Sequence, residues 1–243
     1  MDIKEKKSNI KLDMPKFVCD NKLTSNNITP LPNQTFYMVF SGPPRSGKTS
    51  LALSMLSTKK SKANKTKPLY RNVFDKIYVV MPEASLKSLK NNPFKGISED
   101  QIYHELTAEN LFNIIEDVKE NSAEGLQSLL FIDDMTAYMK NSNMVIKMLN
   151  ELVANRRHLK CSIMMMVQFM NSIPLSNRKL ITHLVSFKTT NKKECESILG
   201  ELIHLPKEDY QEICRHCWKN KHDFMYVDIE EGSFHRCFNK LEF

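Results

Sequence analysis

The chain has 243 residues, a length that suits one large domain or two small ones. Its 41% hydrophobic and 26% charged residues are ordinary for a globular protein, which excludes a wholly disordered chain. Lysine and arginine outnumber the acids by 35 to 28, and the net charge of +7 favours a polyanionic partner without establishing one. Only 6 residues are glycine and 7 are arginine, so each of these is informative where it occurs.

The cysteines and the apolar runs of the sequence indicate the kind of cellular compartment in which the protein is expected. The 6 cysteines are scattered along a chain that is too large to need disulfides for stability. The amino terminus, MDIKEKKSNIKLD, is charged rather than apolar, and the longest apolar run, around 163–167, is too short to span a bilayer. We therefore expect no membrane insertion, and free thiols in a reducing compartment.

The chain order of apolar runs predicts the elements of the fold. Residues 1–33 are polar and are expected to form an N-terminal arm before a single domain over 34–243. Apolar runs predict strands at 35–41, 76–81, 128–132, 162–167 and 184–187. Helical spacing and capping signals predict helices at 48–57, after Thr107, around 145–153, at 193–203 and at 207–218, and the tail suggests a hairpin turning at Glu231 and Gly232. Buried strands that alternate with helices favour an α/β fold, with a mostly parallel sheet covered on both faces.

The sequence GPPRSGKT at 42–49 fits the phosphate-loop pattern G-x-x-x-x-G-K-[ST], between a predicted strand and a predicted helix. Glycine lets the backbone N–H groups approach a phosphate, and the helix N-terminus adds a positive dipole end. We expect Lys48 to neutralise the β- and γ-phosphates of ATP and Thr49 to bind Mg²⁺. The alternative is a tight turn without a ligand. The predicted nucleotide-binding residues are Gly42, Pro43, Pro44, Arg45, Ser46, Gly47, Lys48, Thr49 and Ser50.

Polar residues end two further buried strands. LLFIDD at 129–134 places two carboxylates at the carboxyl end of a strand, where ligands bind in open α/β sheets. Asp133 is the predicted Mg²⁺ ligand, and Asp134 is expected to polarise the attacking water. Gln168 ends the next strand and is a candidate contact to the γ-phosphate or the water. The alternatives are a turn pair for the two acids and an ordinary polar strand end for Gln168.

Three arginines flank the strand that ends at Gln168. Arg156 and Arg157 precede it, and either is a candidate arginine finger that acts on a neighbouring subunit. The alternative is that they complement the end of a helix. A structural role is favoured for Arg178.

Two other groups of residues have ordinary explanations. Cys214 and Cys217 form a C-x₂-C half-site for zinc, but the second half of such a site, His235 and Cys237, has unsuitable spacing. Buried thiols are the preferred interpretation. The basic stretch 58–71 is either a contact to a phosphate backbone or a solvated loop.

These motifs, in this order, resemble the FtsK–HerA superfamily of DNA-pumping ATPases, and within it the poxvirus-type genome-packaging ATPases of large DNA viruses and virophages. The matching stretches lie within 34–200 and are FYMVFSGPPRSGKTSLA, LLFIDDM and NRRHLKCSIMMMVQFMNSIPLSNRKLITHLVSFKTTNKKECESIL. The resemblance implies a RecA-like P-loop NTPase of the ASCE type, with the Gln168 strand between the phosphate-loop strand and the Asp133 strand. Members commonly carry Glu at the position of Asp134.

The resemblance also implies a function and partners. Catalysis would involve Lys48, Asp134, Gln168 and either Arg156 or Arg157, with Mg²⁺ held by Thr49 and Asp133. The subunits would form a hexameric or pentameric ring, with ATP at the interfaces and double-stranded DNA in the pore. Such a motor would package viral DNA into a capsid, at capsid vertex proteins, in the host-cell cytoplasm or virion. The alternatives are a HerA-like helicase or pump for cellular DNA, a non-motor P-loop kinase, and a DNA-binding structural protein.

Overall fold

The computed structural model describes residues 22–23, 29–57, 69–90, 92–202 and 206–242, and within them nine strands form one sheet. The strands are β1 (Tyr37–Ser41), β2 (Lys76–Val80), β3 (Ile102–Tyr103), β4 (Ser128–Asp133), β5 (Cys161–Val167), β6 (His183–Phe187), β7 (Phe224–Asp228), β8 (Ser233–Arg236) and β9 (Asn239–Lys240). The helices are α1 (Lys48–Ser57), α2 (Glu83–Lys87), α3 (Ala108–Ala123), α4 (Thr136–Asn141), α5 (Asn143–Ala154), α6 (Leu175–Arg178), α7 (Lys192–Glu201) and α8 (Lys207–Cys217). In this part of the chain, no helix combines the length and apolar character needed to cross a membrane.

The sheet order is β3-β2-β4-β5-β1-β6-β7-β8-β9, and the first six strands of this order run parallel. Strand β5 lies between β1 and β4, which confirms the order expected from the resemblance. The carboxyl ends of β1, β4 and β5 therefore meet at one edge of the sheet, where a ligand binds in open α/β folds. The predicted hairpin is also present, because β7 pairs antiparallel with β6 and with β8.

Hydrophobic layers cover both faces of the sheet, as predicted. Successive residues of β1 alternate between them: Val39 joins the layer that contains Leu111 of α3 and Leu149 of α5, whereas Phe40 joins the layer that contains Met55 of α1. Because β1 is buried on both faces, its sequence is continuously apolar rather than alternating. The central strand that carries the phosphate loop is thus held rigidly from both sides.

Several boundaries differ from the predicted ones. Strand β1 begins at Tyr37 rather than Thr35, and β4 extends through Asp133, because pairing with neighbouring strands rather than apolar character sets the ends. The segment 82–106, predicted as irregular, contains α2, a 3-10 turn and the short β3. In the described part of the predicted arm, Leu31 is buried and Tyr226 Oη donates to Pro30 O at 2.8 Å, so this part packs on the domain. The division at residue 33 remains a prediction.

Candidate active site

The phosphate loop follows the central strand directly. Strand β1 ends at Ser41, and α1 begins at Lys48. A Cβ added to Gly42 would lie 2.7 Å from the Phe187 Cβ, so the close approach of β6 requires glycine here. Gly47 has φ +111°, a conformation that side chains with a Cβ rarely adopt. Glycine is therefore required at both ends of the loop for steric reasons.

Lys48 reaches back into this loop. Its Nζ donates to Gly42 O at 2.6 Å and to Pro43 O at 3.0 Å. Burial lowers the pKa of Lys48, and the nearby acids Asp133, Asp134 and Glu194 oppose that change. The hydroxyl of Ser46 is buried without a hydrogen-bond partner among the described residues. A loop with a desolvated ammonium group and an unused hydroxyl is well suited to bind an anion such as a phosphate.

Thr49 and Asp133, the two residues predicted to bind Mg²⁺, contact each other. Thr49 Oγ1, in the first turn of α1, donates to Asp133 Oδ2 at 2.9 Å across the gap between β1 and β4. Burial raises the pKa of Asp133 to about 6, and Asp134 adds to this effect, while the hydrogen bond from Thr49 and the charge of Lys48 oppose it. A hydroxyl and a carboxylate held together fit Mg²⁺, which takes few protein ligands and keeps waters and phosphate oxygens.

Asp134 and Gln168 contact each other. Gln168 Nε2 donates to Asp134 Oδ1 at 3.0 Å, across the carboxyl ends of β5 and β4. Asp134 has φ +56°, the left-handed region that Asp tolerates better than most residues, and its side chain is exposed. The strand therefore ends abruptly after Asp133 and turns the second carboxylate away from the core. A carboxylate and an amide at this position could together contact a water molecule.

The structure places Arg156 and Arg157 away from these residues. Both precede β5, so they lie at its amino end, and a seven-residue strand of roughly 3.3 Å per residue separates them from Gln168. Arg156 Nη2 lies 3.4 Å from Glu230 Oε1, and its side chain is 12% exposed, whereas Arg157 is exposed. Neither can act on the phosphate loop of its own chain. A role on a neighbouring subunit stays a prediction.

Arg178 has the structural role that was favoured for it. It is buried on α6, and its Nη1 donates to Asn171 Oδ1 at 2.8 Å and to Met170 O at 3.4 Å. These acceptors belong to the segment that follows Gln168. Arg178 therefore helps to hold the segment that follows Gln168.

The sequence does not predict that two further residues, Glu194 and His222, lie near the phosphate loop. Glu194 is buried in the first turn of α7, and Ser41 Oγ donates to its Oε1 at 2.6 Å. His222 Nδ1 lies 3.0 Å from Ser46 O, in the connection between α8 and β7. The spacing from Gly42–Thr49 to either residue follows no recurrent pattern, so only the folded chain brings them to the loop.

Cys214 and Cys217 are buried thiols. Burial raises the pKa of each thiol to about 12, which opposes formation of the thiolate that zinc binding requires. The described residues contain no group of three or more His, Cys, Asp or Glu side chains that could hold a metal ion. Of the basic stretch, residues 58–68 lie outside the described residues, and Arg71 is partly exposed.

Comparisons with known proteins agree with this geometry. The chain is 28% identical over 170 residues to the DNA packaging protein OPG160 of Vaccinia virus (strain Copenhagen), which covers 69% of this chain and 57% of that protein. It is 30% identical over 154 residues to the Variola virus protein of the same name, covering 63% and 53% of the two chains. The chain thus spans little more than half the length of these relatives.

The fold matches solved structures of a viral packaging enzyme. The genome packaging NTPase B204 from Sulfolobus turreted icosahedral virus 2, in complex with ATP-gammaS, superposes with a TM-score of 0.59 at 14% identity, over 85% of this chain and 98% of that chain. The fold is therefore that of RecA-like P-loop packaging NTPases. Residues 24–209 match the family described as Poxvirus A32 protein, which is most of the chain. The chain belongs to the poxvirus A32 protein family.

Proposed function

We propose that this protein is an ATP-driven motor that moves viral double-stranded DNA into a capsid. One observation carries the proposal: Lys48, the Thr49–Asp133 pair and the Asp134–Gln168 pair are assembled at the carboxyl ends of the parallel strands β1, β4 and β5. The family membership and the packaging proteins among the relatives support the choice of DNA as cargo. A phosphate loop alone would fit many other functions.

Each residue has a separate task in this proposal. Bound Mg-ATP supplies the phosphoanhydride bond whose hydrolysis drives the motor. Lys48 would exchange its two backbone carbonyl acceptors for phosphate oxygens, and Thr49 Oγ1 and Asp133 would hold Mg²⁺ directly or through water. The Asp134 carboxylate accepts a proton from the attacking water, and the Gln168 amide orients that water. The bond between these two side chains supports their joint action.

The assembly in this proposal is a ring with six or five subunits and double-stranded DNA in its pore. The location of Arg157 supports such an assembly, because an exposed arginine far from its own phosphate loop is available to an adjacent subunit. The net charge of +7 favours contact with DNA phosphates. Capsid vertex proteins in the host-cell cytoplasm or the virion are the further partners that packaging would require.

Nucleotide binding and hydrolysis test the enzymatic part of the proposal. Purified protein with Mg²⁺ should bind and hydrolyse ATP, and duplex DNA should raise the rate. Lys48→Ala should reduce hydrolysis by at least about 100-fold, because it removes the charge that contacts the transferred phosphate. Lys87→Ala is the matched control, because that lysine is exposed and pairs with Glu83 in the preceding turn of the same helix. The proposal fails if the wild-type protein binds no nucleotide in the presence of Mg²⁺.

The products of the reaction separate the motor from a kinase. A motor releases inorganic phosphate from ATP in proportion to the DNA present, whereas a kinase transfers phosphate to a small acceptor and ignores DNA. Phosphate release in buffer, with duplex DNA and with nucleoside monophosphates therefore distinguishes the two. Stimulation by monophosphates alone would favour the kinase.

A further inference from the structure

A buried carboxylate lies between the phosphate loop and the segment that follows Gln168. Glu194 is 1% exposed and occupies the first turn of α7. The N-cap Asn191 fixes this turn, because its side chain accepts from the backbone N–H groups of Lys193 and Glu194. The helix therefore delivers Glu194 into the protein in a defined orientation.

Three donors converge on this carboxylate. Ser41 Oγ donates to Oε1 at 2.6 Å, and the backbone N–H of Met170 donates to the same oxygen at 3.2 Å. Thr189 Oγ1 donates to Oε2 at 2.8 Å, and the same hydroxyl accepts from the N–H of Asn191, which leaves its proton for Glu194. A carboxylate has two acceptor oxygens, and each can accept two hydrogen bonds. The Glu194 side chain can therefore accept from all three donors at once.

The three donors belong to different parts of the site. Ser41 is the last residue of β1, directly before the phosphate loop, and Thr189 follows β6. Met170 lies in the segment 168–172, here called the sensor loop, which begins with the Gln168 that contacts Asp134. One oxygen of Glu194 thus joins the phosphate-loop strand to the sensor loop.

A second buried side chain, Arg178, contacts the sensor loop. From the other side, Arg178 donates to Met170 O and to Asn171 Oδ1. The sensor loop is therefore held between a buried acid and a buried arginine, and its position depends on both.

We propose that Glu194 is a positioning residue that fixes the sensor loop relative to the phosphate loop, so that ATP hydrolysis needs it and nucleotide binding does not. The proposal rests on the proposed ATPase function. The Glu194 carboxylate accepts from Ser41, Met170 and Thr189, and it acts through Met170 on the placement of Gln168.

Steady-state kinetics of two variants test the proposal. Glu194→Gln keeps an acceptor for Ser41 and Met170 and should retain kcat within about threefold. Glu194→Ala loses all three bonds and should lower kcat by about 10- to 100-fold, with the dissociation constant for ATP within about threefold of wild type. The control is Glu196→Ala, an exposed acid two residues along the same helix, which should leave both values unchanged. Equal loss of binding and of kcat, or unchanged kcat in Glu194→Ala, would overturn the proposal.

Hydrogen exchange provides a readout that needs no hydrolysis. In the protein without nucleotide, the Met170 amide should exchange at least about tenfold faster in Glu194→Ala than in wild type, because its acceptor is lost. Ser41→Ala should raise the exchange rate of the Met170 amide less, since that amide keeps its hydrogen bond to Glu194. If wild-type protein binds no ATP, the proposed function fails. The exchange rate of the Met170 amide still tests whether Glu194 holds the sensor loop. Unchanged Met170 exchange in Glu194→Ala would show that the link does not hold the loop.

Discussion

Asp133 is held in an environment that opposes its charge, which leads to a quantitative prediction about stability. Burial raises its pKa to about 6 from an ordinary value of 3.8, a difference of roughly two pKa units. One pKa unit corresponds to ~1.4 kcal/mol, so at neutral pH the ionised side chain destabilises the protein without metal by about 3 kcal/mol. Asp133→Asn should remove this cost, because asparagine carries no charge and still offers an oxygen to Thr49.

The expected gain is measurable by thermal unfolding. After allowance for burying the new amide, Asp133→Asn should be more stable than wild type by about 2 kcal/mol at pH 7.5 in EDTA, a Tm increase of about 4–8 °C for a domain of this size. Asp134→Asn is the comparison variant, because that side chain is exposed, asparagine also tolerates the positive φ there, and its charge contributes less than burial to the raised pKa of Asp133. Its Tm should stay within about 2 °C of wild type.

The difference in stability between wild type and Asp133→Asn should change with pH in a defined direction. In the folded wild type, Asp133 holds its proton up to a pH of about 6, whereas in the unfolded chain it loses it near 3.8. Raising the pH through this window therefore lowers wild-type stability relative to Asp133→Asn. Below the window, only the cost of burying the amide remains, and Asp133→Asn should be less stable than wild type by about 1 kcal/mol. If Asp133→Asn is less stable than wild type at pH 7.5, or if the difference persists unchanged at pH 4, the assigned cause is wrong.

Three further substitutions test other parts of the site. Gly42→Ala should cost about 1–3 kcal/mol in chemical denaturation, because its Cβ would lie 2.7 Å from Phe187; equal stability would refute the steric argument. Gln168→Ala should lower kcat by about 10- to 100-fold while KM changes less than about threefold, and a change confined to KM would contradict its role. Arg157→Ala should abolish hydrolysis, and mixing with Lys48→Ala subunits, which still carry the arginine, should restore part of it if the residue acts in trans. Absence of any recovery would argue against that role.

The positions of the phosphate loop and of Asp133 could be predicted because local sequence encodes them. Gly42–Thr49 is contiguous, and Asp133 ends an apolar run, so each motif lies on an element that its own residues define. Their meeting at one sheet edge follows from the parallel order of the strands, which the resemblance supplied and the structure confirms. The direct bond between Asp134 and Gln168 then follows from the adjacency of β4 and β5.

Other features depend on long-range packing that no local pattern carries. Glu194 is one acid among several charged residues of a polar helix, and one of its hydrogen-bond partners, Ser41, is 153 residues away in sequence. Arg156 and Arg157 are neighbours of the Gln168 strand in sequence, yet the strand's direction places them at the opposite edge of the sheet. The short β3 and β9 have two residues each, too few for a periodicity to emerge.

Displacement of a third strand from a duplex by the moving protein tests the motor most directly. Wild-type protein with Mg²⁺ and ATP should displace a triplex-forming oligonucleotide from a linear duplex, and Lys48→Ala should not. Displacement should also stop when ATP is replaced by an analogue that cannot be hydrolysed. If wild-type protein hydrolyses ATP but leaves the third strand in place on every duplex, the protein is an NTPase and the proposal that it translocates DNA is wrong.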